Sequence, residues 1–296
     1  MTAGLPGDDE RLRTLLRLSL DEDLADRGDL TTAATVSPDL VATAVVVARE
    51  SFVVAGLALF DPLTVALAER CGRPASPAPL ALTRSVGDGA RVATGDEVCA
   101  LAGTARDLLV IERTFLNFLE RLSGIATLTS RYVDAVAAVG ADTRVLDTRK
   151  TTPGHRLLEK YAVRCGGGSN HRMGLYDAIL IKDNHVVAAG GIDEAVKRAL
   201  AGAPDGVAVE VECDTLEQVE RALELGARAV LVDNFTPEQV AVAVTRVAGR
   251  ARVEVSGGVD LDTIAAYAAA GPDDISVGRL THGARWVDVS MSIDLS

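Results

Sequence analysis

The chain has 296 residues, of which 48% are hydrophobic and 3% aromatic, and its formal net charge is −12. That length sets an expectation of one large or two ordinary domains, and the composition excludes a disordered chain. The acidic balance argues against nucleic-acid or anionic-membrane binding, which needs a basic face. With few aromatics, the core must be Ala, Val, Leu and Ile, which suits Val-rich parallel strands.

The start of the chain is polar and acidic (Asp8, Asp9, Glu10), so no secretory signal is expected. Residues 11 to 25 read as an amphipathic helix that Gly28-Asp29-Leu30-Thr31-Thr32 ends. Residues 41 to 54 read as a β segment, and Val41 to Ala48, the longest apolar run, is too short to span a bilayer. Pro62 to Arg70 reads as a helix, followed by a connector with Pro74, Pro77 and Pro79. Val86-Gly87-Asp88-Gly89-Ala90 reads as a hairpin turn. Leu109, Ile111, Phe115, Leu116, Leu119 and Leu122 recur at helical spacing and predict one or two long helices over 108–139. Cys71, Cys99, Cys165 and Cys213 lack zinc or CxxC spacing and read as reduced thiols of a cytoplasmic protein.

After residue 140 short apolar segments alternate with Ala-rich helices. The segments are Thr143–Asp147, Ala178–Lys182, Val207–Glu212, Ala229–Asp233, Val253–Ser256 and Asp274–Val277. Repeated βα units imply a parallel sheet, and this many favour a barrel over an open sheet. In such barrels chemistry sits at the C-terminal ends of strands. Here those ends carry Asp147-Thr148-Arg149-Lys150, Lys182, Glu212, Asp233, Ser256-Gly257-Gly258 and Gly278.

From Asp147 to His185 there are seven Lys/Arg against four Asp/Glu, a local +3 in an acidic chain, together with three of the four His. The plain alternative is a solvated helix face, but these charges alternate with Gly, Asn and turn residues. Only Arg156, Lys160 and Arg164, four apart, share one helix face and read as solvated charge. Glu210 and Glu212 face one side of a strand and need a cation: a lysine such as Lys182, a bound Mg²⁺, or both. Ser256-Gly257-Gly258 and Val277-Gly278-Arg279 follow strands and precede helices, so their N–H groups are candidates to hold a phosphate. Gly166-Gly167-Gly168 is either a flexible lid or a close-approach turn. No GxGxxG or P-loop is present, which argues against a dinucleotide or NTP.

The runs Asp147 to Gly154, Glu159 to Val163, Gly166 to Gly168, Asn170-His171-Arg172 and Leu180 to His185 closely resemble quinolinate phosphoribosyltransferases. Gly28 to Thr32, Arg121 to Thr127, Val232-Asp233-Asn234, Ser256-Gly257-Gly258 and Ile275 to Gly278 add to the match, which runs from about residue 20 onward. The resemblance implies an α/β protein: an N-terminal α/β sandwich (1–118, with 284–296 packing back on it) and an incomplete, open α/β barrel (119–283). It implies a pentosyltransferase that joins quinolinate to phosphoribosyl pyrophosphate with Mg²⁺, releasing nicotinate mononucleotide, pyrophosphate and CO₂ in de novo NAD biosynthesis. It also implies a homodimer with shared active sites.

By the same resemblance, Arg113 (from the partner subunit), Thr148, Arg149, Lys150, His171, Arg172 and Lys182 bind quinolinate. Lys150, Lys182, Glu212 and Asp233 carry the chemistry, with Glu212 and Asp233 also near the metal. Ser256, Gly257, Gly258, Val277, Gly278 and Arg279 meet the phosphoribosyl group. Three positions depart from the family pattern: Phe118, His155 and Arg279, the last open to either a phosphate or an acid. The rivals are a nicotinate salvage transferase, the related molybdate-transport-associated transferase, and a binding protein that has lost turnover. The intact quinolinate set counts against the first two, and Glu212, Asp233 and the glycine turns against the third.

Overall fold

A computed structural model describes residues 9–72 and 80–295; the expected connector with Pro74, Pro77 and Pro79 lies outside them. The chain divides into two units: Met1–Leu128, Thr152–Gly167 and Ala284–Ser296 form the first, and Thr129–Thr151 and Gly168–Gly283 the second.

In the first unit, α1 (Glu10–Leu24) starts where the Asp9 carboxylate accepts the Arg11 N–H at 2.8 Å. It buries Leu12, Leu16, Leu20 and Leu24, a stripe four residues apart. Gly28 turns the chain at φ +68°, and Asp29 then caps α2 (Leu30–Thr35), a short helix the sequence reading took only as an ending. Strands β1 (Val41–Ala48), β2 (Phe52–Val53), β3 (Ala81–Ser85), β4 (Arg91–Val92) and β5 (Glu97–Thr104) surround α3 (Phe60–Arg70) in chain order. A four-stranded antiparallel sheet runs in the order β12-β1-β5-β3, with β12 (Val289–Leu295) registered against β1 from Ala42↔Leu295 to Ala48↔Val289; β2 and β4 form a separate pair.

The long apolar repeat is one helix, α4 (Ala105–Ala138), which continues without a break through residue 118. Ser123 and Thr127 on it donate to backbone carbonyls or accept from the N–H groups of Ala55 and Val53, and Gly124 lies where a Cβ would meet the Arg285 carbonyl oxygen at 1.9 Å. The Arg121-to-Thr127 run therefore packs tightly against the first unit's own backbone.

Helix α5 (Arg156–Cys165) also belongs to the first unit, where Arg121 donates to Glu159 at 2.8 Å. It overturns one expectation: Lys160 is fully buried, so the Arg156/Lys160/Arg164 face is not plain solvated charge. Spacing identified a common face but not what covers it.

The second unit carries a six-stranded parallel sheet: β6 (Arg144–Leu146), β7 (Ile179–Ile181), β8 (Val209–Cys213), β9 (Ala229–Asp233), β10 (Arg252–Ser256) and β11 (Asp274–Ser276). The order is β6-β11-β10-β9-β8-β7, an open α/β barrel whose edge strands are β6 and β7. Its core is the expected Val, Leu and Ile set, with Val211, Val230, Val232, Val255 and Ile275 all fully buried. Helices α6 (Asp183–Ala189), α7 (Ile192–Gly202), α8 (Leu216–Glu224), α9 (Pro237–Val247), α10 (Ile264–Ala269) and α11 (Arg279–His282) return the chain between or after strands. Thr236 caps α9 in a reciprocal box with Gln239, with Pro237 in the first turn. Among the described residues, no helix is long and apolar enough to cross a membrane.

Candidate active site

A cavity of about 410 Å³ opens at the C-terminal ends of the second unit's strands. Thr148, Arg149, Lys150, His171, Arg172, Lys182, Glu212, Asp233 and Ser256 line it, as strand phase predicts. Leu180, Leu231, Glu254 and Ser276 complete the wall.

The cationic side is built on loops at the two edge strands. After β6, buried Asp147 acts as an anchor: its carboxylate accepts from Asn170 Nδ2 at 2.5 Å and from the His171 N–H at 2.9 Å. Ser169 bridges Leu146, so residues 169–171 lie along the β6 edge. Arg172 donates to the Ala178 carbonyl at 3.1 Å, and Asp177 accepts the N–H groups of Met173 and Gly174 at 2.6 and 3.0 Å. The loop is thus tied down on both sides of the arginine.

Arg172 has its pKa lowered, first by burial and then by the positive charge of Arg149, against opposing pulls from Asp177 and Glu210. Two guanidiniums that repel each other in a partly buried cavity are arranged for an anion. Lys182 follows β7 directly and bonds the Glu212 carboxylate across to β8. Thr281 donates to the Lys150 carbonyl at 2.7 Å, and the Lys150 side chain passes 3.1 Å from where a Cβ on Gly278 would sit.

The acidic side stands on central strands. Glu212 is the penultimate residue of β8, and Asp233 ends β9 with Asn234 Nδ2 donating to it at 2.6 Å. Behind them lies a second layer: His171 Nε2 faces Glu210 at 3.3 Å and Glu254 at 3.4 Å. Glu254 on β10 is buried and accepts from the Ser276 hydroxyl. Burial and then the charge of Glu210 push the Glu254 carboxyl well above the ordinary glutamate range, against the pull of His171 and Ser276. The sequence reading singled out Glu210 but missed Glu254 and Ser276. Glu254 carried only a faint signal, in that it shares a strand face with Ser256 as Glu210 does with Glu212.

The glycine turns have defined reasons. Gly257, at φ +92°, sits where a Cβ would lie 2.3 Å from Asn234 Oδ1, so only glycine fits. Gly258 follows at φ +66°. The helices behind the turns are short, six residues in α10 and four in α11, so N–H groups of the turns rather than a helix dipole would hold a phosphate there. Arg279 lies in the field of Asp260 and lowers its pKa, though the Thr263 hydroxyl dominates that shift. Arg113 is exposed on α4 in the first unit. Phe118 and His155, two of the departures, lie side by side there with ring centroids 6.2 Å apart and planes tilted by 34°, which gives them a common contact but no role.

A cavity lined by cations and carboxylates at the strand ends of an open α/β barrel has the layout of an enzyme site for small anionic substrates, and the family matches make the class a phosphoribosyltransferase. Residues 29–123 match the N-terminal domain of quinolinate phosphoribosyl transferase, and residues 125–292 its C-terminal domain. A nicotinate-nucleotide pyrophosphorylase [carboxylating] from Mycobacterium leprae is 43% identical over 95% of this chain and 96% of that protein. NadC from Streptococcus pyogenes superposes with a TM-score of 0.88 at 39% identity, covering 97% of each chain. The nicotinate-nucleotide pyrophosphorylase structure from Francisella tularensis gives a TM-score of 0.88 at 37% identity, over 99% of each chain. The chain belongs to the quinolinate phosphoribosyltransferase family.

Proposed function

We propose that this protein transfers phosphoribosyl from phosphoribosyl pyrophosphate to quinolinate with loss of CO₂, giving nicotinate mononucleotide and pyrophosphate for de novo NAD synthesis. The observation that carries the reading is the division of one cavity into a cationic side (Arg149, Lys150, Arg172, Lys182) and an acidic side (Glu212, Asp233). Quinolinate brings two adjacent carboxylates, which suit paired arginines and the flanking lysines, with Thr148 and His171 in the wall. Displacing pyrophosphate builds positive charge on the ribose, which the carboxylates of Glu212 and Asp233 stabilise. The pyridine nitrogen attacks the anomeric carbon as the C–O bond to pyrophosphate breaks. The cationic ring then accepts the electron pair from the breaking C2–carboxylate bond, CO₂ departs, and a proton from solvent fills C2. No covalent protein nucleophile is needed.

Mg²⁺ fits the acidic side. Glu212 and Asp233 offer oxygen donors on neighbouring strands, and their protein partners engage one oxygen of each. These two residues would hold the ion together with substrate phosphates, and it would neutralise the charge of the leaving pyrophosphate. Ser256, Gly257, Gly258, Val277 and Gly278 would meet the 5′-phosphate, with Arg279 nearby.

The enzyme is further proposed to be a cytoplasmic homodimer in which Arg113 of one subunit completes the other's quinolinate site. The family resemblance and the exposure of Arg113 support this. Mixing Arg113→Ala with Lys182→Ala subunits should recover part of the activity; exchanged dimers that stay inactive contradict the shared site. The decisive assay supplies purified protein with Mg²⁺, phosphoribosyl pyrophosphate and either quinolinate or nicotinate. CO₂ and nicotinate mononucleotide should form from quinolinate alone. Turnover of nicotinate in its place, or binding without turnover, rejects the reading.

A further inference from the structure

The quinolinate assignment does not use Glu254 or Ser276, although Glu254 is one of the most deeply buried charged groups in the barrel. Its surroundings form a continuous chain of contacts. The Ser276 hydroxyl donates to Glu254 Oε1, and Glu254 Oε2 and Glu210 Oε2 both face His171 Nε2. On the far side of the ring, Nδ1 accepts the backbone N–H of Arg172 at 2.7 Å. A nitrogen that accepts carries no proton, so the proton of a neutral imidazole sits on Nε2, aimed at the two carboxylates. Both ring nitrogens are then committed, one to the acids and one to the arginine's backbone.

We infer that Glu254 and Ser276 are positioning residues, which hold the His171 ring so that its Nδ1 fixes the backbone of Arg172 and thereby aims that guanidinium at the substrate's carboxylates. The inference rests on the assignment of Arg172 to quinolinate. Three features support it. First, the strut is buried: His171 shows 13% of its side chain, Glu210 15% and Glu254 5%. A hydrogen bond there is stronger and costlier to break than one in water. Second, Ser276 and Glu254 sit on adjacent core strands, which gives the strut a rigid base, whereas Arg172 sits on a loop. Third, burial and the neighbouring Glu210 raise the Glu254 pKa, which disfavours a second negative charge beneath an anion site.

The same three residues, with donor atoms within 4.8 Å of one another, also resemble a metal-binding set. The imidazole geometry argues against that role. Its single lone pair is used by the Arg172 N–H, and a metal at Nε2 would require the other tautomer and the loss of that bond.

The test compares steady-state constants for both substrates in Glu254→Leu, Glu254→Gln, Ser276→Ala and Arg172→Ala. Glu254→Leu should raise the KM for quinolinate about tenfold and leave that for phosphoribosyl pyrophosphate within about twofold. Glu254→Gln, which mimics the neutral carboxyl, should restore quinolinate KM to within about threefold of wild type. Ser276→Ala should fall between the two, and it carries the test if Glu254→Leu fails to fold. An unchanged quinolinate KM in the folded leucine variant (or, failing that, in Ser276→Ala) overturns the inference. Equal rises for both substrates, or a glutamine variant as impaired as leucine, overturn it too. Stoichiometric Zn²⁺ binding by wild type that Glu254→Gln abolishes would replace it with a metal centre. Arg172→Ala separates the layers: if it leaves quinolinate KM unchanged, the underlying assignment fails, whatever Glu254 does.

Discussion

The two sides of the cavity are built by different means. Its cations come from the edges of the sheet: Arg149 and Lys150 follow β6, Arg172 lies on the loop before β7, and Lys182 follows β7. Its acids come from the middle, on β8, β9 and β10. Arginine and lysine have long side chains and can reach inward from an edge while their stems stay packed. A carboxylate is short, so only the backbone can place it, and central strands are the most rigid backbone available. A carboxyl group held off water also needs nearby donors, and Lys182, Asn234, His171 and Ser276 meet that need for Glu212, Asp233, Glu210 and Glu254. The anion side is thus loop-borne and anchored by Asp147, whereas the acidic side is part of the core.

If that contrast holds, the largest loss should come from the loop-borne side. Arg172→Ala should weaken quinolinate binding on the order of a hundredfold and phosphoribosyl pyrophosphate binding by less than about threefold, as titration calorimetry would show. Arg172→Lys should recover little, because a point charge does not replace a two-pronged guanidinium. Equal losses for both ligands would sink the division into sides. Asp233→Asn should cut kcat by roughly thirtyfold and raise the Mg²⁺ concentration needed for half-maximal rate; an unchanged Mg²⁺ requirement would remove Asp233 from the metal site.

Smaller effects probe the framework. Gly257→Ala forces a Cβ into Asn234 at a left-handed φ and should cost about 1–3 kcal/mol in chemical denaturation; a neutral result would mean the turn relaxes. Glu254 gives a pH signature. Its folded pKa lies above its unfolded value, so its contribution is fully present below the ordinary glutamate range and is lost as pH rises towards the folded value. Glu210, His171, Asp274 and Ser276 face it, with Arg144 within electrostatic reach. The thermal midpoint of the wild type should therefore fall between about pH 5 and about pH 8 more steeply than that of Glu254→Gln. Parallel curves would show that Glu254 does not titrate in this window. The smallest effect should be at the exposed Arg84–Glu97 pair in the first unit, where Arg84→Ala should change stability by less than about 0.5 kcal/mol.

Much of this was legible in the sequence because it depends on local pattern. The apolar segments after residue 140 became the six strands, and the last residues of four of them, Lys182, Glu212, Asp233 and Ser256, line the cavity, whereas Asp147 and Val277 are buried beside it. The local +3 around residues 147–185 also marked the cationic wall. What stayed hidden depends on partners distant in the chain. Lys160 carries the same spacing signal as Arg156 and Arg164, yet it is buried, because spacing does not reveal which face another element covers. Asp147 read as one of several strand-end charges; its part in holding Asn170 and His171 appears only when a loop more than twenty residues later returns to the β6 edge. Glu254 was overlooked because Val253-Glu254-Val255 reads as an ordinary strand interrupted by one polar residue.

The pairing of β12 with β1 has a consequence in time. Residues 289–295 complete a sheet whose neighbouring strand is residues 41–48, and the second unit's residues 168–283 lie between them in the chain. A ribosome adding about 5–20 residues per second releases β1 many seconds before β12 exists. Throughout that interval one edge of β1 has no partner and is open to pairing with a neighbouring chain. The parallel sheet, whose strands all come from one later stretch of chain, can form before the sheet that precedes it in sequence is complete. The sheet that starts earlier in the chain is then completed later, and β12 acts as the clasp that shields the open edge of β1.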